Sequence, residues 1–160
     1  MSAVGLNLPV TSTFALPLSL YYIYLQARVI QQRVITNELI GQQSTSSTAD
    51  PKSTDPLATP SASPDLLQAA CRAQGNFAEN VPFALIFAAL AELNGGNKTV
   101  LSTALGMLLV ARVMHADFGI MNTKKNFAGF GRPVGFLTTA AVMAGLAGYA
   151  AVLSRGYWGF

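Results

Sequence analysis

Four long apolar runs, separated by polar joints, organise the chain: Val10 to Ala27, Phe77 to Leu93, Thr99 to Met114 with its flanks, and Pro133 to Leu153. Each approaches the roughly 20 residues needed to cross a hydrocarbon layer, so the pattern predicts four transmembrane helices, over about 10–32, 66–93, 99–118 and 132–153. Between the first two lies a segment of opposite character, GQQSTSSTADPKSTDPLATPSASP at 41–64, rich in Ser, Thr, Pro and Asp with almost nothing to bury. It is expected to be a disordered loop. The joint after the second run, Asn94-Gly95-Gly96, reads as a tight turn. The expected fold is an all-α, four-helix membrane bundle in one domain spanning 1–160.

Composition agrees with lipid as the solvent. Hydrophobic residues make up 51% of the chain and charged residues 11%, well below the roughly 25% charged content of soluble domains. No basic start or small-residue cleavage site precedes the first run, so a removable signal peptide is not expected. The single cysteine, Cys71, precludes an internal disulfide, and no His/Cys cluster has metal-ligand spacing, so no metal is expected. The net charge of +3 reflects cations flanking the spans rather than a nucleic-acid platform, and no nucleic-acid partner is expected. With alternating spans, Arg28, Arg33, Lys52, Arg72, Arg112, Lys124, Lys125 and Arg132 fall on one side and Lys98 and Arg155 on the other. Eight of ten cations on one side makes it the cytoplasmic side and places both termini opposite.

Smaller signals refine this picture. Pro17 and Pro82 each stand inside a predicted helix and are expected to bend it. Tyr21, Tyr22 and Tyr24 suit an aromatic belt at the membrane interface. Asn97-Lys98-Thr99 matches a glycosylation sequon, but one pressed against the membrane and not expected to be used. Ala140, Ala144 and Gly148 form a small-residue ridge that permits close helix contact. Gly129-x-Gly131 has no third glycine, since Val134 stands there, and reads as a turn rather than a phosphate cradle.

The candidate chemistry lies at the cytoplasmic end. On the second helix Arg72, Asn76 and Glu79 recur at i, i+4 and i+7, one stripe over two turns. The third helix ends with Arg112 and His115 at i and i+3, and the fourth begins with Arg132. Ionisable groups at membrane depth cost a few kcal/mol each, about 2.5–3.5 at a helix centre, so they face the bundle or a wet cavity. Individually, Arg72 snorkelling to headgroups, a structural Glu79–Arg112 pair and a core histidine at 115 are the plain alternatives. Together the three arginines outnumber Glu79 by two charges, an excess an anionic ligand balances.

These residues carry a resemblance. The string RAQGNFAENVPF, with its R-x-x-x-N-x-x-E pattern followed by proline, is similar to the second-helix signature of the MAPEG family, membrane-associated proteins in eicosanoid and glutathione metabolism. RVIQQR, AELNGG, ARVMH and GRPVGFLTT resemble the bacterial-type and fungal branch of that family at the other helices. The resemblance implies a homotrimer binding glutathione between protomers near the cytoplasmic face. It assigns Arg72, Asn76 and Glu79 to the tripeptide, Arg112 to the site region and Arg132 to activation of the thiol; with the polar cluster of the third helix included, Arg72, Asn76, Glu79, Arg112 and His115 are the expected glutathione-binding residues. The implied activity is that of a microsomal glutathione transferase, with peroxidase as a variant, acting on a lipophilic electrophile or lipid in a detoxification role. A non-catalytic glutathione- or lipid-binding protein and a structural trimeric scaffold are the alternatives. Leukotriene-forming members have a tyrosine directly after the glutamate and tyrosines on the third helix. Here Asn80, His115 and Gly119 occupy those places, which points away from leukotriene synthesis. The expected location is the endoplasmic reticulum in a eukaryote and the inner membrane in a bacterium.

Overall fold

A computed structural model describes residues 7–37, 64–122 and 129–159 of the chain. The expected disordered loop at 41–64 lies outside these residues, apart from its last position, as do Lys52, Lys124 and Lys125. Four helices form the described protein: α1 (Pro9–Thr36), α2 (Pro64–Leu93), α3 (Lys98–His115) and α4 (Gly131–Ser154). A π-helical turn, Ala116–Ile120, prolongs α3, and a 3-10 turn, Arg155–Trp158, prolongs α4. There is no strand among the described residues. Helix α1 packs against α2 and α3, and α4 packs against α3 and α2, while α1 and α4 have no backbone contact. The bundle is thus ordered α1, α2, α4, α3 around its circumference.

Three segments are long and apolar enough to cross a membrane: Leu66–Leu93, Lys98–Ile120 and Gly131–Tyr157. Helix α1 has the length, at 28 residues, but its Ser, Thr, Tyr and Gln residues dilute its hydropathy below that of the others. Its contacts nonetheless extend along the whole bundle. Near its start the Glu92 carboxylate, at the end of α2, accepts from the Val10 and Thr11 amides at 2.8 and 2.9 Å and from the Thr11 hydroxyl at 2.7 Å. At the opposite end Arg28 pairs with Asp117, just beyond α3, and the Tyr21 hydroxyl donates to the same carboxylate at 2.9 Å. Consecutive antiparallel helices end on opposite faces, so α1 traverses the same thickness as α2 and α3.

Glu92 does the work of an N-cap that Leu8 cannot, placing an anion at the positive end of the α1 dipole. Glu92→Ala is expected to cost about 2 kcal/mol, by loss of three charge-assisted bonds, and to loosen α1 first. Thermal unfolding in detergent micelles with limited proteolysis at the start of α1 checks this; unchanged melting and cleavage count against it. Helix α3 is capped locally: Asn97 Oδ1 accepts from the Thr99 and Val100 amides at 2.8 and 3.3 Å. The amide oxygen of the sequon asparagine is therefore committed to starting a helix.

The interior is built from small residues on α2 facing leucines. Ala69, Ala73, Ala84, Ala88 and Ala91 of α2 are buried against Leu101, Leu105 and Leu108 of α3 and Leu18 and Leu25 of α1. Large apolar side chains such as Leu16, Leu20, Phe83, Ile86, Val110 and Leu137 point outward, the reverse of a water-soluble protein and suited to lipid contact. Of the three tyrosines expected at the membrane interface, two turn into the bundle. Tyr21 bonds Asp117, Tyr22 stacks on Phe77 with centroids 5.8 Å apart and accepts from Gln74 at 2.9 Å, and Tyr24 lies under Arg28. Only Tyr24 of the three is exposed, because α1 turns its other two hydroxyls toward polar partners on the neighbouring helices. The ridge Ala140, Ala144 and Gly148 lies on the exposed face of α4, so it is not covered by any of the described residues.

Candidate functional site

Arg28, Arg33, Arg72, Arg112 and Arg132 gather at one end of the bundle, where α1 and α3 finish and α2 and α4 begin. Between α2, the π-turn and α4 a cavity of about 780 Å³ opens at this end. Arg72, Asn76 and Glu79 line it from α2, His115 and Ile120 from the end of α3 and its π-turn, and Arg132, Pro133 and Phe136 from α4. Five of the six residues singled out from the sequence thus line one cavity. Arg72, Glu79 and Arg132 are exposed there, and Asn76 is half-buried.

Arg112 is the sixth and stands behind the wall. Only 2% of it is exposed. One terminal nitrogen donates to Asn76 Oδ1 at 2.6 Å and the other to the Gly135 carbonyl at 3.0 Å, so its guanidinium ties α2, α3 and α4 together. Both terminal nitrogens are engaged away from Glu79, and the Nε has no partner among the described residues. With Asn76 Oδ1 held by Arg112, the Asn76 amide nitrogen is the donor that side chain has left to offer the cavity. Asn80 does not face the cavity as a tyrosine surrogate: its side-chain amide folds back onto the Asn76 carbonyl at 2.7 Å.

The position of Arg132 follows from the close approach of α4 to α3. A Cβ at Gly135 would lie 2.5 Å from the Ala111 carbonyl oxygen and 2.5 Å from His115 Cβ, and one at Gly119 would lie 2.6 Å from the Arg132 amide nitrogen. Contacts that short exclude any side chain unless backbone moves. The approach lets His115 Nδ1 reach the Arg132 carbonyl at 2.8 Å. Gly119 also accepts through its carbonyl from the Gly129 amide at 3.3 Å, bracing the start of α4. The Gly129-x-Gly131 stretch leads directly into this helix–helix seam.

A MAPEG family profile matches residues 11–152, nearly the whole chain. The chain belongs to the MAPEG family. No curated protein and no solved structure matched it. This MAPEG protein is an integral membrane protein of the family concerned with glutathione and eicosanoid metabolism, and its second-helix signature residues are those that line the cavity.

Several residues around the site escaped the sequence reading. Gly75 and Phe136 line the cavity, and Cys71, noted only as a lone thiol, lies on its wall one residue before Arg72. The i, i+4 spacing of Cys71 and Gly75 parallels that of Arg72 and Asn76, so the lining stripe was available as a periodicity. Asp117 left no comparable signal, because its partners Arg28 and Tyr21 lie about 90 residues away in sequence.

Proposed function

We propose that this MAPEG protein binds glutathione in the α2–α4 cavity and joins its thiolate to a lipophilic electrophile arriving from the bilayer. The carrying observation is the convergence of Arg72, Asn76, Glu79 and Arg132 on one open cavity in a chain of this family. Glutathione with its thiol ionised carries two negative charges net, which answers the excess of two positive charges among Arg72, Arg112, Arg132 and Glu79. The Glu79 carboxylate suits the ammonium, Arg72 and the Asn76 amide suit the carboxylates, and Arg132, across the cavity on α4, suits the sulfur. Thiolate stabilised in this way attacks an electrophilic carbon, or a peroxide in the variant reaction.

No α1 residue is among those lining the cavity, and the small-residue ridge of α4 is uncovered. Both fit a homotrimer in which a neighbouring protomer closes the site. The cation asymmetry supports a site on the cytoplasmic face, of the endoplasmic reticulum in a eukaryote or of the inner membrane in a bacterium. A second reading, glutathione binding without turnover, draws support from Asn80, whose side chain is spent on its own helix and adds no group to the cavity.

Two substitutions test the assignment. Glu79→Gln keeps the side-chain shape but removes the charge meant for the ammonium, and is expected to weaken glutathione binding by about 1.5–3 kcal/mol. Calorimetry on detergent-purified protein measures this, and unaltered affinity removes Glu79 from the site. Arg132→Ala is expected to leave binding largely intact while the bound thiol returns toward its solution pKa of about 8.5. Conjugation of an aryl halide then slows by about 10- to 100-fold at neutral pH, corresponding to one or two pKa units, and less at alkaline pH. Coincident thiolate titrations of variant and wild type make Arg132 a binding residue. Bound glutathione without thiolate in the wild type favours the non-catalytic reading.

A further inference from the structure

The two ring nitrogens of His115 meet different surroundings. Nδ1 lies 2.8 Å from the Arg132 carbonyl oxygen, and a carbonyl only accepts, so Nδ1 carries a proton and the neutral ring leaves Nε2 bare. Nε2 has no hydrogen-bond partner among the described residues and is not a sealed orphan, while the ring lines the cavity with Arg72, Glu79 and Arg132. The seam at Gly135 holds this orientation by pressing α4 against His115.

A guanidinium cannot take a proton, so Arg132 stabilises a sulfur anion without providing a destination for the proton that leaves it. Of the acceptors on the wall, Asn76 Oδ1 already accepts from Arg112, and Glu79 is matched to the ammonium. Asp117, two residues from His115, is engaged by Arg28 and Tyr21 of α1. The charged groups around the ring are then Arg112 on its own helix, Arg132 on α4, and Arg72 and Glu79 on α2.

Resting on the glutathione reading above, we propose that His115 Nε2 accepts the thiol proton of bound glutathione. The S–H bond breaks, an Nε2–H bond forms, and the electron pair stays on sulfur between the His115 imidazolium and the Arg132 guanidinium. The total charge of site and ligand is unchanged, because the proton moves within the cavity. When the sulfur displaces halide from an aryl halide, the halide leaves as the anion and the imidazolium returns its proton to water. His115 is a catalytic residue on this account, since it touches the reacting thiol.

The test titrates glutathione into the detergent-purified protein in weakly buffered solution. Bound glutathione is read by calorimetry, thiolate by ultraviolet absorbance, and released protons by a pH indicator. His115→Asn is the variant, because the asparagine amide nitrogen can take the place of Nδ1 as donor to the Arg132 carbonyl and offers no base. The wild type is expected to form thiolate without releasing a matching number of protons. The variant is expected to bind glutathione within a few-fold of wild type, to form about tenfold less thiolate at neutral pH, one pKa unit, and to release one proton for each thiolate that remains. One proton released per thiolate in the wild type overturns the proposal, as does full thiolate in the variant or binding without thiolate in the wild type. Failure of the wild type to bind glutathione at all is a separate result, which overturns the glutathione reading itself. The wild-type proton count decides the matter even where the variant does not fold.

Discussion

Gly135→Val is expected to destabilise the protein by about 3 kcal/mol or more and to abolish the proposed glutathione binding, whereas Gly145→Ala is expected to be neutral or slightly stabilising. The contrast comes from what each new side chain meets. At Gly135 the first added carbon falls 2.5 Å from the Ala111 carbonyl oxygen and 2.9 Å from His115 Cα, both backbone atoms that no rotamer change can move aside. Helix α4 must withdraw from α3. That withdrawal strains the bond from Arg112 to the Gly135 carbonyl and the bond between His115 and the Arg132 carbonyl, so Arg132 and Asn76 both lose their settings. A Cβ at Gly145, farther along the same helix, has nothing within 4 Å. Thermal unfolding in micelles, with calorimetric titration of glutathione, measures both variants. Wild-type melting of Gly135→Val refutes the close seam as the device that positions the site.

Arg112→Ala is the second large effect, with an expected loss of about 3 kcal/mol in stability. The substitution leaves a cavity where a long buried side chain stood and removes a donor from both Asn76 Oδ1 and the Gly135 carbonyl. The proposed glutathione binding is expected to fall with it, because Asn76 then rotates freely and no longer presents its amide nitrogen. Arg112→Lys separates geometry from charge. If Arg112 served the ligand only through its positive charge, lysine would restore binding. An ammonium lacks the planar fork that serves two acceptors on two helices, so lysine is expected to recover less than half of the lost binding free energy. Full rescue by lysine would return Arg112 to the ligand-contacting group.

These two predictions concern residues whose roles come from tertiary approach. From the sequence, Arg112 was one of three cations at the end of a span, equivalent to Arg72 and Arg132 in the charge count. The fold separates them, with Arg72 and Arg132 facing the cavity and Arg112 behind Asn76. Asn80 and the tyrosines of α1 divide in the same way. Periodicity identifies which residues of one helix share a face, but it carries no information on which neighbour that face meets. Asn80 is legible as a departure from tyrosine through the family resemblance alone, while its return to the Asn76 carbonyl is not legible at all.

The four helices, the polar loop joining the first two, the one-ended crowding of cations and the Arg72–Asn76–Glu79 stripe were determined by the sequence alone, since each is a local consequence of hydropathy, length and the 3.6-residue turn. Helix α1 is the least apolar of the four, because it carries hydroxyls and tyrosines that bond to Glu92 and Asp117 when the bundle closes. Tertiary structure alone decided the rest: the carboxylates that hold α1 at both ends, the glycine seam that sets α4 against α3, the fork of Arg112, and the tautomer of His115. Each depends on two segments distant in sequence coming within hydrogen-bonding or van der Waals distance. Between α3 and α4 that distance is set by the absence of side chains at Gly119 and Gly135, a property visible in the sequence only as two glycines among 14.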